Sequence, residues 1–206
     1  MKSLIHKIKS LFEDTAVNAF LRLVRFPNLI ILGFMEYFAR IFLIGEKDNW
    51  LHIIKEPEIF YLSLSTMLIA AGGYIINDYY DIKIDMINKP ERVVLSKHIS
   101  RRLGLVLHLV LSSLALGICV WKLTLNVAVF MALCGLLLWW YSNSLKRLAL
   151  WGNLTIAFLA FSSLAMLALF YQVRVNAILF FSFFCWIIIG DQIEKIVISY
   201  FFFVWF

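Results

Sequence analysis

Six long apolar runs follow one another along the 206-residue chain, and they constrain its fold more than any other feature. A helix needs about 20 apolar residues to cross the hydrocarbon core of a bilayer. We therefore predict an all-α, polytopic transmembrane helical bundle of about six spans plus a partial seventh. The runs cover 28–44, 59–76, 103–121, 127–141, 154–171 and 175–189, with a last stretch over 196–206.

The composition excludes the two main alternatives to a membrane protein. Hydrophobic residues make up 63% of the chain, against roughly 45–50% in an ordinary soluble domain. Only 16% of the residues are charged and 17% are aromatic, so intrinsic disorder is also excluded. Cys119, Cys134 and Cys185 lie inside apolar runs without paired spacing, which indicates small core residues and neither disulfides nor a zinc site.

The first 27 residues are basic and amphipathic, which distinguishes them from the apolar remainder of the chain. Their apolar residues recur on one face of a helix, which is typical of a segment lying on a membrane surface. We expect residues 1–27 to form this interfacial segment and residues 28–206 to form the membrane domain. The apolar face comprises Leu4, Ile5, Ile8, Leu11 and Phe12.

The distribution of positive charge predicts the orientation of the bundle. The net charge is +6, from 19 Lys and Arg against 13 Asp and Glu, and alternate connections hold 14 and 4 of the basic residues. Basic connections remain in the cytoplasm. We therefore expect a cytoplasmic N-terminus and a cytoplasmic loop over 77–102, in a bacterial plasma membrane. Because topology explains the positive charge, we expect no nucleic-acid partner.

A row of carboxylates at the cytoplasmic end of the second run carries the strongest chemical signal. Asp78, Asp81 and Asp85 are spaced i, i+3 and i+7, so they share one face of a helix. Like charges at a membrane boundary are costly unless a cation neutralises them. Carboxylates without Cys or His suit Mg²⁺, which usually completes its coordination with water and substrate phosphates. The row therefore predicts a magnesium site for a phosphorylated substrate.

Basic residues follow this row in a loop. Pro90 disfavours a helical Lys89, so we expect the helix to end there. A second basic pair, Lys146 and Arg147, follows Tyr141 after the fourth run. Cations in these two loops are suited to phosphate oxygens, although most of them are also explained by membrane orientation. The first loop presents Lys89, Arg92, Lys97, Arg101 and Arg102.

The chain resembles the UbiA-type intramembrane prenyltransferases, whose hallmark is an Asn-Asp motif followed by two further aspartates. Asn77, Asp78, Asp81 and Asp85 match it. The NKPER continuation, YSNSLKR, the WGN ending at Asn153 and the RFPN before the first run follow in family order. The opening and the NKPERVVLSKHIS loop are most similar to the geranylgeranylglycerol-phosphate geranylgeranyltransferase branch.

The resemblance implies a site and a reaction. Family members hold an isoprenyl diphosphate through Mg²⁺, ionise it to an allylic cation and let an acceptor attack C1. The implied metal ligands are Asp78, Asp81 and Asp85. The resemblance assigns diphosphate contacts to Asn77, Arg92 and Lys146, and a place near the cation to Tyr141. The implied partners are the isoprenyl diphosphate, a lipophilic acceptor and membrane lipid, with no obligate protein partner.

One departure from the family pattern leaves alternatives open. The family has nine spans and a second aspartate-rich motif, for which this chain offers only Asp191 and Glu194. We therefore expect a C-terminally truncated chain. A quinone-precursor prenyltransferase, an inactive fragment, and a transporter or scaffold with an acidic site are the alternative hypotheses.

Three predictions concern structure alone. Glu36 and Arg40 are four residues apart in the first run, so we expect them to form an ion pair. His108 is expected to be an interior histidine with a hydrogen-bond partner and not a metal ligand. Gly72 and Gly73 are expected to allow close packing of helices, because small residues permit close approach in membranes.

Overall fold

The computed structural model describes residues 16–44 and 49–172. These residues form seven α-helices, which we number in chain order. The predicted sixth span, Cys185, Asp191 and Glu194 lie outside the described residues, as do residues 1–15. The helices are α1 (Ala16–Leu23), α2 (Phe26–Ala39), α3 (Trp50–Ile54), α4 (Pro57–Asn88), α5 (Arg101–Lys122), α6 (Leu125–Asn143) and α7 (Ala149–Phe170).

The predicted all-α membrane architecture is confirmed. Four helices are long and apolar enough to cross a membrane: α2 with its continuation to Ile44, α4, α5 and α6. The 22-residue α7 is about 33 Å long at 1.5 Å per residue and is apolar from Leu154 to Phe170. The protein is therefore an integral membrane protein with several spans.

Helix α4 is the central element of the bundle. Its most apolar window is 61% buried, against 17% to 28% in the other three spanning helices, so α4 is surrounded by protein while they expose apolar side chains. It has 32 residues, far more than the apolar run over 59–76 indicates. The helix continues through the polar Asn-Asp stretch because no helix-breaking residue occurs before Pro90.

Two apolar cores lie along α4. The first joins α4 to α2, α5, α6 and α7 around Ile59, Leu62 and Met131, towards the end of the bundle where α4 begins. The second joins α4 to α1 and the loop before α5, around Ile75 and Leu95. Because Leu23 of α1 is fully buried in this second core, the described part of the basic N-terminal segment packs against the bundle.

Small residues bring α4 close to its neighbours, as the sequence predicts. A Cβ atom added to Gly72 would lie 3.0 Å from Ser112 Oγ, and one added to Gly73 would lie 3.0 Å from a Leu138 methyl carbon. His108 Nδ1 lies 3.0 Å from the carbonyl oxygen of Gly72. His108 is therefore an interior histidine with a backbone partner, as expected.

The predicted ion pair between Glu36 and Arg40 is wrong. The Arg40 guanidinium donates to both carboxylate oxygens of Glu56, at 2.9 and 3.0 Å, just before α4 begins. Arg40 also starts a π-helical stretch that ends at Ile44, so the helical period changes at this position. Glu36 is fully buried one turn deeper, and Arg40 lies close enough to the helix end to reach the connecting segment instead.

Candidate functional site

The acidic row lies on the last turns of α4, within one continuous helix. The helix ends at Asn88, and Lys89 has the non-helical dihedral angles φ −146° and ψ 60°, as the following proline predicts. The side chains of Asp78 and Asp81 are 24% and 20% exposed. Both carboxylates are thus largely removed from water, and both have a cationic partner in the structure.

Lys146 is the partner of Asp81. Its Nζ atom lies 2.5 Å from Asp81 Oδ1 and 3.3 Å from Asn77 Oδ1, so one ammonium group joins two residues of the Asn-Asp motif. Lys146 belongs to a single 3-10 turn, Leu145–Arg147, between α6 and α7. A Cβ atom added to Gly152 would lie 3.4 Å from Lys146 Cα, so α7 packs directly against the backbone of this turn.

Arg25 is the partner of Asp78, and its charge alone did not mark it as a site residue. Its Nη2 atom lies 3.0 Å from Asp78 Oδ1, and its guanidinium carbon lies 4.9 Å from the centre of the Tyr74 ring. The backbone of Arg25 is left-handed, at φ 51° and ψ 52°, at the junction of α1 and α2. Non-glycine residues rarely adopt this conformation, and it is found where surrounding structure imposes it. The RFPN motif was the only sequence signal for this position.

The remaining predicted site residues lie on α4, on α6 and in the loop after α4. Asp85 lies half-buried one turn beyond Asp81, and Tyr141 lies half-buried near the end of α6. Arg92 ends a 3-10 turn that starts at Pro90, and its side chain lies outside the described part of the structure. The roles assigned to these three residues stay predictions.

The loop after α4 is fixed by its own contacts. Lys97 donates from Nζ to the carbonyl oxygen of Pro90 at 2.6 Å, and Arg22 of α1 donates to the carbonyl oxygen of Glu91 at 3.2 Å. Arg101 stacks over the Tyr79 ring at 5.0 Å. Among the described side chains, Lys146 and Arg25 thus form ion pairs with the acidic row, and Lys97 and Arg101 contact other groups.

The donor set is consistent with a divalent metal bound together with a phosphorylated ligand. In residues 16–44 and 49–172, no three His, Cys, Asp or Glu side chains converge as a ready-made metal site. Mg²⁺ does not require such a cage, because it usually takes one or two carboxylates and completes its octahedron with water and phosphate oxygens. Asp78, Asp81 and Asp85 could supply the carboxylates, and Lys146 and Arg25 could contact an anionic ligand.

The chain matches a known protein family over most of its length. The profile described as the UbiA prenyltransferase family matches residues 43–193. This range contains every residue of the acidic row and Lys146.

Curated relatives and one solved structure are also similar to the chain. A digeranylgeranylglyceryl phosphate synthase of Ignicoccus hospitalis is 40% identical over 154 residues, which are 72% of this chain and 46% of the relative. A protein of the same name from Sulfolobus acidocaldarius is 37% identical over 69% of this chain and 49% of the relative. The chain thus spans about half the length of the curated relatives it matches.

The solved structure concerns digeranylgeranylglyceryl phosphate synthase in membranes. It superposes with a TM-score of 0.64 at 24% identity, over 84% of this chain and 58% of that one. The likeness shows that the fold is shared. The relatives are archaeal, so the expectation of a bacterial membrane finds no support in them.

Proposed function

Since this chain belongs to the UbiA prenyltransferase family, we propose that it transfers an isoprenyl group from its diphosphate to a lipid-soluble acceptor. The observation that carries the proposal is the meeting of Asp81, Asn77 and Lys146 at one end of the central helix, with Asp78 and Arg25 beside them. Carboxylates suited to a metal ion and cations suited to a diphosphate lie there within hydrogen-bond distance of each other.

We propose geranylgeranyl diphosphate as donor and geranylgeranylglyceryl phosphate as acceptor. Two kinds of likeness support this choice: the names of the curated relatives and the sequence of the NKPERVVLSKHIS loop. Both substrates have long apolar chains, which suit a site inside a membrane bundle. In the reaction the bond between C1 and the diphosphate oxygen breaks, the acceptor hydroxyl oxygen bonds to C1, and its proton is released.

Different residues of the site would act on the diphosphate leaving group and on the isoprenyl carbon. Lys146 and Arg25 would contact the diphosphate oxygens, on which negative charge develops as the bond to C1 breaks. The side chains of Asp78, Asp81 and Asp85 would hold Mg²⁺, which when bound neutralises part of that charge. Tyr141 would offer its ring to the positive charge developing on the isoprenyl carbon. The surrounding apolar helices would keep water away from it.

Transfer by the full chain in lipid nanodiscs tests the proposal. With labelled geranylgeranyl diphosphate, geranylgeranylglyceryl phosphate and Mg²⁺, we expect a labelled product that carries two isoprenyl chains. Asp81→Asn should lower its rate by about two orders of magnitude, the usual effect of losing a group that stabilises the transition state. Glu58→Gln makes the same change of charge at the exposed start of the same helix and should leave the rate unchanged.

Two results would contradict the proposal. The first is full activity in Asp81→Asn. The second is a correctly folded chain that transfers no isoprenyl group to any acceptor, including 4-hydroxybenzoate. Transfer to 4-hydroxybenzoate alone would keep the reaction and replace the acceptor.

A further inference from the structure

Lys146 contacts a carboxylate oxygen of Asp81, one of the groups that would hold the metal. Its ammonium group lies 2.5 Å from Asp81 Oδ1, and the two side chains are only 16% and 20% exposed. Charge-assisted hydrogen bonds of this kind are about twice as strong as neutral ones, and limited exposure to water strengthens them further. A cation that binds Asp81 must therefore displace Lys146 or accept its repulsion.

The neighbouring acid is less tightly held. Arg25 binds Asp78 at 3.0 Å, but its side chain is 45% exposed, so this pair is more screened by water. Among the side chains that the structure describes, none forms an ion pair with Asp85. Of the two described ion pairs of the row, the one between Lys146 and Asp81 is therefore the stronger competitor for a metal ion.

A diphosphate ligand would change this competition. Its oxygens accept hydrogen bonds from ammonium groups as carboxylates do. The Lys146 side chain has four rotatable bonds, so its amino group can exchange one acceptor for another while the backbone stays in place. The backbone of the Leu145–Arg147 turn is held by α7 through the Gly152 contact. Lys146 can thus release Asp81 when a diphosphate arrives, without any movement of the helices.

We propose that Lys146 acts as an internal counter-ion which makes divalent metal binding at Asp81 conditional on a diphosphate. This inference rests on the proposed function and specifies the order of its binding steps. In the free protein Lys146 neutralises Asp81 and keeps metal affinity low. The diphosphate attracts Lys146, and Asp81 then becomes available to the metal. Because coupling between two ligands is reciprocal, the metal strengthens diphosphate binding by the same factor.

The proposal predicts opposite effects on two ligands when the charge of Lys146 is removed. We expect Lys146→Met to bind Mn²⁺ alone about tenfold more tightly than the unmodified chain, because both the repulsion and the competing hydrogen bond are lost. The same variant should bind geranylgeranyl diphosphate about tenfold more weakly in the presence of a chelator. Mn²⁺ binding is read by electron paramagnetic resonance of the full chain in nanodiscs, and diphosphate binding by calorimetry.

Three variants complete the experiment. Lys146→Arg keeps the charge and should keep low Mn²⁺ affinity. Lys122→Met removes one positive charge at the end of α5 that lies away from the acidic row. There Lys122 Nζ lies 3.9 Å from the centre of the Trp121 ring, and we expect the variant to change neither affinity. Asp81→Asn should lose Mn²⁺ binding. Circular dichroism shows whether each variant is folded.

The results distinguish a failure of this inference from a failure of the proposed function. Unchanged or weaker Mn²⁺ binding in folded Lys146→Met would overturn the counter-ion role, even if Asp81→Asn lost the metal as expected. If Asp81→Asn bound Mn²⁺ as the unmodified chain does, the metal site of the proposed function would be wrong. An unfolded Lys146→Met beside a folded Lys146→Arg with high Mn²⁺ affinity would also overturn the counter-ion role.

Discussion

Arg40 and Glu56 form a bidentate ion pair at the end of the bundle opposite to the acidic row. Tyr171 extends the pair, because its hydroxyl donates to Glu56 at 3.0 Å and its ring lies 4.0 Å from the Arg40 guanidinium carbon. The three groups connect the end of α2, the start of α4 and the end of α7. We refer to Arg40, Glu56 and Tyr171 as the outer clamp. Sequence spacing suggested Glu36 as the partner of Arg40, and only the packing of the helices shows that Glu56 is nearer.

We expect the free energy of unfolding to depend strongly on Arg40 of the outer clamp. The side chains of Arg40 and Glu56 are 12% and 17% exposed, so Arg40→Met leaves a largely buried carboxylate without its cation. We expect a loss of about 2–3 kcal/mol in the free energy of unfolding, somewhat below the cost in a fully buried pair. Denaturant titration in detergent micelles measures it. The double change Arg40→Met with Glu56→Gln should restore part of the loss, and a double variant no more stable than Arg40→Met would contradict this explanation.

At the scale of elements, the contact between α7 and the 3-10 turn carrying Lys146 determines where the ammonium group can reach. Gly152 permits this contact because no side chain intervenes between its backbone and that of the turn. Gly117 offers a matched control, since a Cβ atom added there would have no neighbour within 4 Å. Both glycines lie within helices, so a change to valine has the same intrinsic cost at each.

We expect Gly152→Val to destabilise the chain by about 1–3 kcal/mol more than Gly117→Val, the usual cost of adding side-chain volume to a packed contact. The extra methyl groups would push the turn away from α4, so diphosphate affinity should fall as well. Gly152→Ala should have a smaller effect, because its Cβ atom makes ordinary contacts of 3.4 Å. Denaturation and diphosphate binding by calorimetry measure both effects. Equal losses in the two valine variants would show that the contact is unimportant.

The sequence predicts the elements better than the contacts between them. Apolar runs and Pro90 were sufficient to place the helices and the end of α4, because both act through local backbone physics. They understated the length of α4, since no helix-breaking residue interrupts the polar stretch before Pro90. The partners of Asp78 and Asp81 could not be predicted from spacing. Arg25 and Lys146 lie 53 and 65 residues away, and tertiary packing alone brings them to the row.

At the scale of the whole molecule, contacts at the two ends agree with an alternating path through a membrane. Arg25, Lys146 and the loop after α4 meet at one end, and the outer clamp lies at the other. The excess of basic residues falls at the first of these ends, which the positive-inside tendency assigns to the cytoplasm. The assignment to the cytoplasm stays a prediction.

Two histidines at opposite ends provide a test with identical substitutions. Single-cysteine chains carrying His52→Cys or His98→Cys, with the natural cysteines replaced by alanine, can be treated with a membrane-impermeant maleimide on intact cells. Both positions are exposed, so each thiol can react. We expect His52→Cys to be labelled before the cells are permeabilised and His98→Cys only afterwards. The reverse pattern would invert the orientation, and labelling of both in intact cells would contradict the alternating path.

The continuity of α4 gives the protein a mechanical property. Its 32 residues form one helix about 48 Å long, so its two ends share a single helical register. Arg40 and Tyr171 hold Glu56 just before the start of this helix, and the carboxylates of the acidic row lie near its end. A change of helical register at the outer clamp would therefore also rotate the carboxylates of the acidic row, although the outer clamp touches none of them.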